Sequence, residues 1–270
     1  MHDTTTDAAS ADARRAGPGS AAPPALELRG LIFAYPDGTR ALDGIDLTVA
    51  PGERVALLGP NGAGKSTLML HVNGILRAGS GTVVVGGLEL TERTLREVRS
   101  RVGLVFQDPD DQLFMTTVHD DVAFGPLNMG LGAAEADARV HRALHDVGLA
   151  EVGSRSGTHL SFGQKKRAAL ATVLAMAPSV LVLDEPTSNL DPRSRHAMIE
   201  LLGSLPTTAL VATHDMDLAR RLCGRAVVLD RGRVVADGPI ERIMADAELL
   251  RAHGLEAPAI PAEALHSSSR

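Results

Sequence analysis

Cysteine and aromatic residues are scarce in this 270-residue chain. The single cysteine, Cys223, cannot form an internal disulfide, and the sequence contains no CxxC or Cys/His cluster that would indicate a metal site. Such cysteine usage fits a reducing cytosol, and a small core residue is the expected role of Cys223. Because aromatic residues make up only 2% of the chain, we expect an aliphatic core. The 44% of hydrophobic residues beside 22% of charged ones is typical of a globular protein.

Long apolar runs and a surplus of basic charge are also missing. No uninterrupted apolar stretch reaches the roughly 20 residues of a membrane helix, and the nearest candidate, residues 168–183, contains Pro178. The N-terminus lacks the positive and apolar regions of a signal peptide. A net charge of −6 argues against a dedicated nucleic-acid-binding protein. If the chain acts at a membrane, we therefore expect another subunit to span it.

Strand-like and helical stretches alternate along the chain and predict an α/β fold. Several apolar runs precede helical stretches, which indicates a sheet with crossover helices. We also expect the strands before residue 59 to form an antiparallel flap. The predicted strands cover residues 26–35, 45–49, 54–58, 82–85, 102–106, 180–183, 209–212 and 226–229.

The predicted domain organisation places one folded unit at residues 25–245. A helical subdomain is expected at about residues 118–178, because this region has helical stretches at 133–147 and 161–176 and no convincing strand. Residues 1–24 are rich in small and polar residues and predict a disordered lead-in. Residues 246–270 are interpreted as a C-terminal tail, with little apolar pattern from residue 257 onwards.

A glycine-rich motif follows the apolar run VALL. The stretch GPNGAGKST satisfies G-x-x-x-x-G-K-[ST] and precedes a helical stretch, which is the context of a phosphate-binding loop. Backbone N–H groups of such a loop surround phosphate oxygens, while Lys65 reaches the β- and γ-phosphates and Ser66 offers a hydroxyl to Mg²⁺. The alternative, a glycine-rich turn that matches by chance, does not explain the flanking elements. The predicted nucleotide-binding residues here are Gly59, Pro60, Asn61, Gly62, Ala63, Gly64, Lys65, Ser66 and Thr67.

Two carboxylates and a histidine stand at the ends of later apolar runs. In VLVLDEP, Asp184 is expected to hold the Mg²⁺ shell and Glu185 to polarise the attacking water. The alternative is that both carboxylates are solvated turn residues, and the presence of a phosphate loop in the same sequence disfavours it. His214 follows ALVAT and is predicted to contact the γ-phosphate and hold the water and Glu185 in line. In isolation it would be interpreted as a structural or surface histidine.

Further motifs complete an ordered set: Gln107 after GLVF, LSFGQKKR at residues 160–167, and SNLD at residues 188–191. Together with the phosphate loop, Glu185 and His214, they resemble the ABC ATPase superfamily over roughly residues 26–237. The resemblance implies a P-loop NTPase core of ABC ATPase type, with an antiparallel β flap and a helical subdomain. It also implies ATP hydrolysis with ATP and Mg²⁺ as cofactors, a catalytic and Mg²⁺-binding role for Gln107, and adenine stacking for Tyr35. The alternative for Tyr35 is packing at a strand end.

The stretch LSFGQKKR resembles the ABC signature sequence. Ser161 is a suitable N-cap for the following helix, so its hydroxyl and the Gly163 N–H can face an anion. The resemblance implies that Ser161, Gly163 and Gln164 contact the γ-phosphate of ATP held by an opposite protomer, so that two chains form a homodimer or heterodimer. Phe162 departs from the commoner glycine, which raises the question of backbone strain. Residues 165–167 are interpreted either as a solvated basic run or as a direct phosphate contact.

Residues 104–131 resemble ATPases of energy-coupling-factor transporters, above all the cobalt- and nickel-importing branch. The resemblance implies a peripheral protein on the cytoplasmic face of the membrane, with a transmembrane coupling protein and a substrate-binding membrane subunit as partners and no nucleic acid. Sister systems that import vitamins remain an alternative. So does an ABC ATPase acting on nucleic acid or ribosomes, although the chain lacks the long insertion or second cassette expected there. A GTPase or small-molecule kinase would leave the signature unexplained, and no NKxD motif is present.

The same segment carries acidic and apolar side chains with no assigned role. Its aspartates are interpreted as solvated loop and helix N-terminal residues rather than a metal site: Asp108, Asp110, Asp111, Asp120 and Asp121. Leu113, Phe114 and Met115 are candidates for contact with the membrane partner. Packing within the helical subdomain is the alternative for these three.

Overall fold

The computed structural model describes residues 22–256. The predicted lead-in up to residue 21 and the weak tail from residue 257 lie outside this range. Among the described residues, no helix combines the length and the apolar character needed to cross a bilayer. The strands are β1 Leu26–Ala34, β2 Arg40–Val49, β3 Arg54–Leu58, β4 Ser80–Val85, β5 Leu88–Glu89, β6 Val102–Val105, β7 Val180–Asp184, β8 Thr208–Ala212, β9 Arg225–Asp230 and β10 Arg233–Pro239.

Helices alternate with these strands. They are α1 Lys65–Val72, α2 Leu95–Arg101, α3 Val118–Asn128, α4 Ala133–Asp146, α5 Phe162–Leu174, α6 Pro192–Ser204, α7 Met216–Leu222, α8 Ile240–Ala245 and α9 Ala247–Ala252. Short 3₁₀ turns lie at Pro109–Asp111, Ala150–Val152 and Gly157–His159.

A six-stranded sheet forms the centre of the described fold, in the order β10-β9-β3-β8-β7-β6. All neighbouring pairs are parallel except β10–β9. Strands β3 and β7 are almost wholly buried, which is typical of parallel strands covered on both faces. The carboxyl ends of β3, β7 and β8 therefore meet at one edge, where ligands bind in open α/β sheets.

The predicted antiparallel flap is confirmed as a second sheet, in the order β2-β1-β4-β5. Strands β1 and β2 precede the glycine-rich loop as expected, whereas β4 and β5 follow α1 and complete the sheet. One hydrophobic core lies between the two sheets and buries Leu68, Met69 and Val72 of α1. The helix after the glycine-rich loop is thus held between two β layers.

A second core joins the other face of the central sheet to the helical segment that contains α3, α4 and α5. It buries Val122, Val140 and Leu170 of these helices, together with Cys223. Burial raises the pKa of the Cys223 thiol to about 12, so this residue is an inert core side chain.

Two elements near the C-terminus differ from the sequence interpretation. Strand β10 was missed because its solvent-facing alternation includes Asp237, Gly238 and Pro239, residues that predict turns. Beyond the predicted boundary at residue 245, α9 buries Leu250, and the following Leu255 joins the same core. The folded body therefore continues into the segment interpreted as a tail.

Candidate nucleotide-binding site

The glycine-rich loop connects the buried strand β3 to α1. Gly59 and Gly64 have φ angles of 152° and 105°, which favour glycine. A Cβ atom at Gly59 would lie 2.3 Å from the carbonyl oxygen of Leu229, and one at Gly64 would lie 2.5 Å from that of Ala41. Neighbouring backbone thus requires the smallest residue at both positions, and the chance-match alternative does not explain this fit.

The Lys65 side chain folds back over the loop. Its Nζ donates to the carbonyl oxygens of Gly59 at 2.6 Å and Pro60 at 3.0 Å. Burial lowers the pKa of Lys65, while the carboxylates of Glu185 and Asp184 act in the opposite direction. A half-buried amine held over the loop has the geometry and charge required to bind phosphate oxygens.

A cleft of about 290 Å³ lies in front of the loop. It brings together the predicted residues Tyr35, Gln107, Asp184 and Glu185, which are distant in sequence. The complete lining is Tyr35, Thr39, Arg40, Ala41, Asn61, Gly62, Ala63, Gly64, Lys65, Ser66, Thr67, Gln107, Asp184 and Glu185.

Asp184 ends strand β7 and lines the cleft together with Ser66. Burial raises the pKa of Asp184, and the Ser66 hydroxyl counteracts the effect. A hydroxyl oxygen beside a carboxylate is the oxygen donor set that Mg²⁺ prefers. These two residues therefore fit the Mg²⁺ of a bound Mg-ATP.

Glu185 is buried and its position is fixed from several sides. Its φ angle of 45° is in the left-handed region, which costs a non-glycine residue about 1–3 kcal/mol. Its backbone carbonyl accepts from Lys166 Nζ at 2.8 Å and Ser188 Oγ at 2.9 Å. Its carboxylate accepts from His214 Nδ1 at 2.8 Å, the His214 backbone N–H at 3.1 Å and Thr213 Oγ1 at 3.2 Å. These contacts hold the strained backbone and aim the side chain at the cleft.

His214 stands at the end of β8, next to a firmly anchored aspartate. Asp215 caps α7 by accepting from the Leu218 backbone N–H at 3.0 Å. Both of its oxygens also bind the Arg195 guanidinium, at 2.6 and 2.7 Å. The Arg195 guanidinium therefore fixes the backbone that carries His214, while the imidazole itself stays largely exposed.

Tyr35 projects into the cleft from the hairpin between β1 and β2. Its hydroxyl lies 2.9 Å from Thr67 Oγ1, and its ring packs edge-on against Phe33 with centroids 5.0 Å apart. The ring is thus both packed at the strand end and exposed on its cleft side, so the two interpretations of Tyr35 are compatible.

The signature residues lie elsewhere. Ser161 and Gln164 form a capping box on α5: the Ser161 N–H donates to Gln164 Oε1 at 2.9 Å, and the Gln164 N–H donates to Ser161 Oγ at 3.3 Å. Among the described residues that line the cleft, none belongs to the range 160–167, which also contains Gly163. One chain therefore presents a phosphate loop and, on a separate surface, a helix N-terminus with an exposed serine.

Phe162 begins α5 with a negative φ, so the departure from glycine introduces no left-handed backbone there. Its ring lies below the Lys166 ammonium, with Nζ 5.8 Å from the ring centroid.

Lys166 contradicts the interpretation of residues 165–167 as a solvated run. It is 1% exposed, and its Nζ donates to the Glu185 carbonyl oxygen and, at 3.2 Å, to Ser188 Oγ. Lys165, by contrast, is partly exposed and pairs with Asp110 at 2.7 Å. Helical periodicity explains the difference, since neighbouring residues point in different directions and Lys166 faces the core. Lys166 thus joins the signature helix to the turn that carries Glu185.

Burial lowers the pKa of Lys166 to about 8, below the ordinary value of 10.5. Between these values the unfolded chain binds more protons than the folded one, so wild-type stability rises with pH. We expect the free energy of unfolding of Lys166→Met, relative to that of the wild type, to be highest below pH 8. This advantage should decline by about 3 kcal/mol by pH 10.5, as the charge-burial penalty in the wild type disappears. Urea unfolding at several pH values measures the difference.

Lys165→Met is the matched control, because the neighbouring amine is partly exposed and pairs with the exposed carboxylate of Asp110. It should not reproduce the decline expected for Lys166→Met. A Lys166→Met difference that is constant from pH 7 to 10.5 would show that the buried amine does not titrate as the geometry indicates.

The acidic segment is also less solvated than expected. Asp121 is 3% exposed, and its Oδ1 accepts from the backbone N–H groups of Phe114 and Met115, both at 2.9 Å. Burial raises the pKa of Asp121. This aspartate is therefore a structural residue that fixes the 114–115 backbone, whereas Asp108 caps the turn Pro109–Asp111 as an ordinary loop residue.

Sequence reasoning missed several cleft residues. Thr39, Arg40 and Ala41 line the cleft because the hairpin after Tyr35 folds over the glycine-rich loop. The turn residues PDG signalled the hairpin, but its position against the loop depends on the pairing of β1 with β2. Thr213 and Lys166 likewise reach Glu185 only through tertiary packing.

Comparison with known proteins identifies the family. The pattern of the ABC transporter family matches residues 42–188. A protein of Streptomyces coelicolor, named provisionally as an ABC transporter ATP-binding protein, is 58% identical over 243 residues, which cover 90% of this chain and 94% of the relative. The energy-coupling factor transporter ATP-binding protein EcfA of Carboxydothermus hydrogenoformans is 48% identical, and the alignment covers 87% of each chain.

Solved structures agree with this relationship. CbiO1 from Clostridium perfringens, described as part of the ABC transporter complex CbiONQ, is 40% identical, with a TM-score of 0.74 over 85% of this chain and 94% of that one. An ATP-binding cassette solved as a dimer with ADP and Pi is 26% identical, with a TM-score of 0.73 over 80% of this chain and 98% of that one. The chain therefore belongs to the ABC transporter family, as an ATP-binding subunit of the energy-coupling-factor type that couples ATP hydrolysis to transport.

Proposed function

We propose that this chain energises an energy-coupling-factor importer that takes up a metal cation, cobalt or nickel, across the membrane. In this proposal it acts on the cytoplasmic face, paired with a second ATPase, and binds a transmembrane coupling protein and a substrate-binding membrane subunit. The observation that carries the ATPase chemistry is Glu185, whose carboxylate is fixed by His214 and Thr213 at the cleft of the glycine-rich loop.

In the proposed reaction, Lys65 and the N–H groups of the glycine-rich loop bind the β- and γ-phosphates. Ser66, Asp184 and Gln107 would hold Mg²⁺, which when bound neutralises charge on the phosphate oxygens. Glu185 has about four acceptor sites and uses three for His214 and Thr213. The remaining site accepts a hydrogen bond from the attacking water, which orients that water and receives its proton.

The separation of the cleft from the signature surface supports a two-chain site. Ser161, Gly163 and Gln164 would bind the γ-phosphate held by the opposite protomer, with the positive end of α5 directed at the anion. The solved relative described as a dimer bound to ADP and Pi supports the pairing of two chains. Tyr35 would stack on the adenine, because its exposed face lies at the cleft entrance.

A groove of about 760 Å³ supports docking to a membrane partner. Its walls include Ile75, Phe114 and Phe124, exposed by 46%, 63% and 43%, and the two phenylalanine rings pack edge to face with centroids 5.1 Å apart. Met115 is 37% exposed, whereas Leu113 is partly buried against the helical core. Phe114 and Met115 thus remain candidates for partner contact, and Leu113 packs the helical segment.

Phe114→Asp is the direct test of this groove. We expect a folded subunit with normal ATP binding that fails to assemble with the membrane subunits or to drive uptake, because an interfacial charge is costly to bury. The measurements are the melting temperature, nucleotide affinity, co-purification and uptake.

Val235→Asp is the control, since Val235 is an exposed apolar residue on β10 that does not line the groove. Normal assembly and uptake by Phe114→Asp would refute docking at this groove. If both Phe114→Asp and Val235→Asp disrupt assembly, the effect is not specific to the groove. That result would also count against docking there.

The name of the CbiONQ complex supports the proposed cargo only by kinship. Uptake of labelled Co²⁺, Ni²⁺ and vitamins by the co-expressed transporter distinguishes the metal importer from a vitamin-importing sister system. Metal accumulation that requires Glu185 is the expected result. Vitamin uptake alone would replace the proposed cargo without affecting the ATPase assignment.

A further inference from the structure

Three side chains with metal-binding atoms converge on the surface of the helical segment. His119 lies on α3, while Asp137 and His141 lie one turn apart on α4. His119 Nε2 is 2.9 Å from Asp137 Oδ1, and His141 Nε2 is 3.5 Å from Asp137 Oδ2. The three donor atoms all lie within 4.8 Å of one another. They belong to neither the nucleotide cleft nor the groove.

We propose that His119, Asp137 and His141 form a binding site for a divalent first-row transition-metal ion such as Zn²⁺, Co²⁺ or Ni²⁺. With bonds of about 2.0–2.2 Å, tetrahedral coordination separates ligand atoms by roughly 3.3 Å. The distances of 2.9 and 3.5 Å involve different oxygens of Asp137, and one donor atom from each residue lies within 4.8 Å of the other two, so small side-chain rotations bring the three atoms to this spacing. Two imidazoles and one carboxylate select this class of ion, whereas Mg²⁺ and Ca²⁺ prefer oxygen ligands alone.

The backbones of α3 and α4, which carry the three side chains, are held in place by hydrogen bonds and core packing. The His119 N–H donates to the carbonyl oxygen of Gly153 at 2.8 Å, and Thr117 caps the start of α3. Val122 of α3 and Val140 of α4 are both wholly buried in the core below. The two helices therefore present the three ligands without a change in backbone.

The surrounding charge and exposure also suit an exchangeable cation. Asp120 Oδ1 lies 3.8 Å from His119 Nδ1, so a further negative charge stands beside the cluster. The side chains of Asp137 and His141 are 53% and 71% exposed, so further coordination positions face solvent. The site thus has three protein ligands and room for water, and a bound ion would cross-link α3 to α4.

The test uses the full, tag-free and nucleotide-free chain, titrated with Co²⁺ by visible absorption and with Zn²⁺ by calorimetry. We expect one equivalent to bind with imidazole coordination and to raise the melting temperature, because the ion binds the folded state. His119→Ala and His141→Ala should each weaken binding by at least about tenfold and abolish the metal-dependent melting shift.

His145→Ala is the matched control, because His145 lies on the same helix, is 83% exposed and lies outside the cluster. It should bind metal like the wild type. Absence of saturable binding would overturn the proposal and leave the cluster as a surface ion-pair network. Binding that persists equally in His119→Ala and His141→Ala would also overturn it, since the ion would then occupy another site.

Discussion

Glu185→Gln is expected to bind Mg-ATP with near wild-type affinity and to hydrolyse it about 10²- to 10⁴-fold more slowly. The amide retains the shape of the side chain but cannot take a proton from water. The carboxylate also accepts from His214 and Thr213, and the amide can keep its carbonyl oxygen on His214 while its NH₂ group donates to Thr213 Oγ1. Single-turnover hydrolysis by the assembled transporter, together with nucleotide titration, measures both quantities.

The same variant should accumulate as an ATP-bound dimer, because nucleotide that is not hydrolysed keeps the two half-sites together. Size-exclusion chromatography with and without ATP reports this state. Glu200→Gln is the control, since Glu200 pairs with Arg221 on the surface of α6 and should leave turnover unchanged. Near wild-type hydrolysis by Glu185→Gln would disprove the role of this carboxylate.

Lys65→Ala should lose most ATP affinity, whereas Ser161→Arg should retain binding to one protomer and block dimer closure. Lys65 supplies the half-buried positive charge of the cleft and also holds the carbonyl oxygens of Gly59 and Pro60. Ser161 is an exposed N-cap, and loss of such a cap costs about 1 kcal/mol, so the variant should fold. Its bulk would occupy the space that the opposite protomer's phosphate requires.

Nucleotide affinity and ATP-dependent dimerisation must therefore be measured separately in these two variants. Arg220→Ala is the control for loss of a cationic side chain, because that exposed guanidinium pairs with Glu241 and lies outside the cleft and the signature. Equal loss of nucleotide binding in Lys65→Ala and Ser161→Arg would contradict a site composed of two chains. Normal ATP-dependent dimerisation by Ser161→Arg would also contradict a site composed of two chains.

The sequence predicted most of the elements that carry the chemistry. The run VALL followed by GPNGAGKST predicted the strand, loop and helix in register, because the glycines, the lysine and the apolar run each have a local physical requirement. VLVLDEP and ALVAT were predicted to contain buried strands because each contains a short apolar run. Phe162 raised a question of strain that only its observed helical conformation answered.

What the sequence determined by itself is the motif order, the α/β class and the residues that could bind phosphate, since these depend on local geometry and composition. Tertiary structure alone decided that Lys166 reaches Glu185, that Asp121 holds the backbone of Phe114 and Met115, and that the signature lies apart from the cleft. It also brought His119 to Asp137 and His141, although the sequence showed no metal cluster. These contacts join residues on separate elements, and their distances depend on how buried faces pack rather than on spacing along the chain.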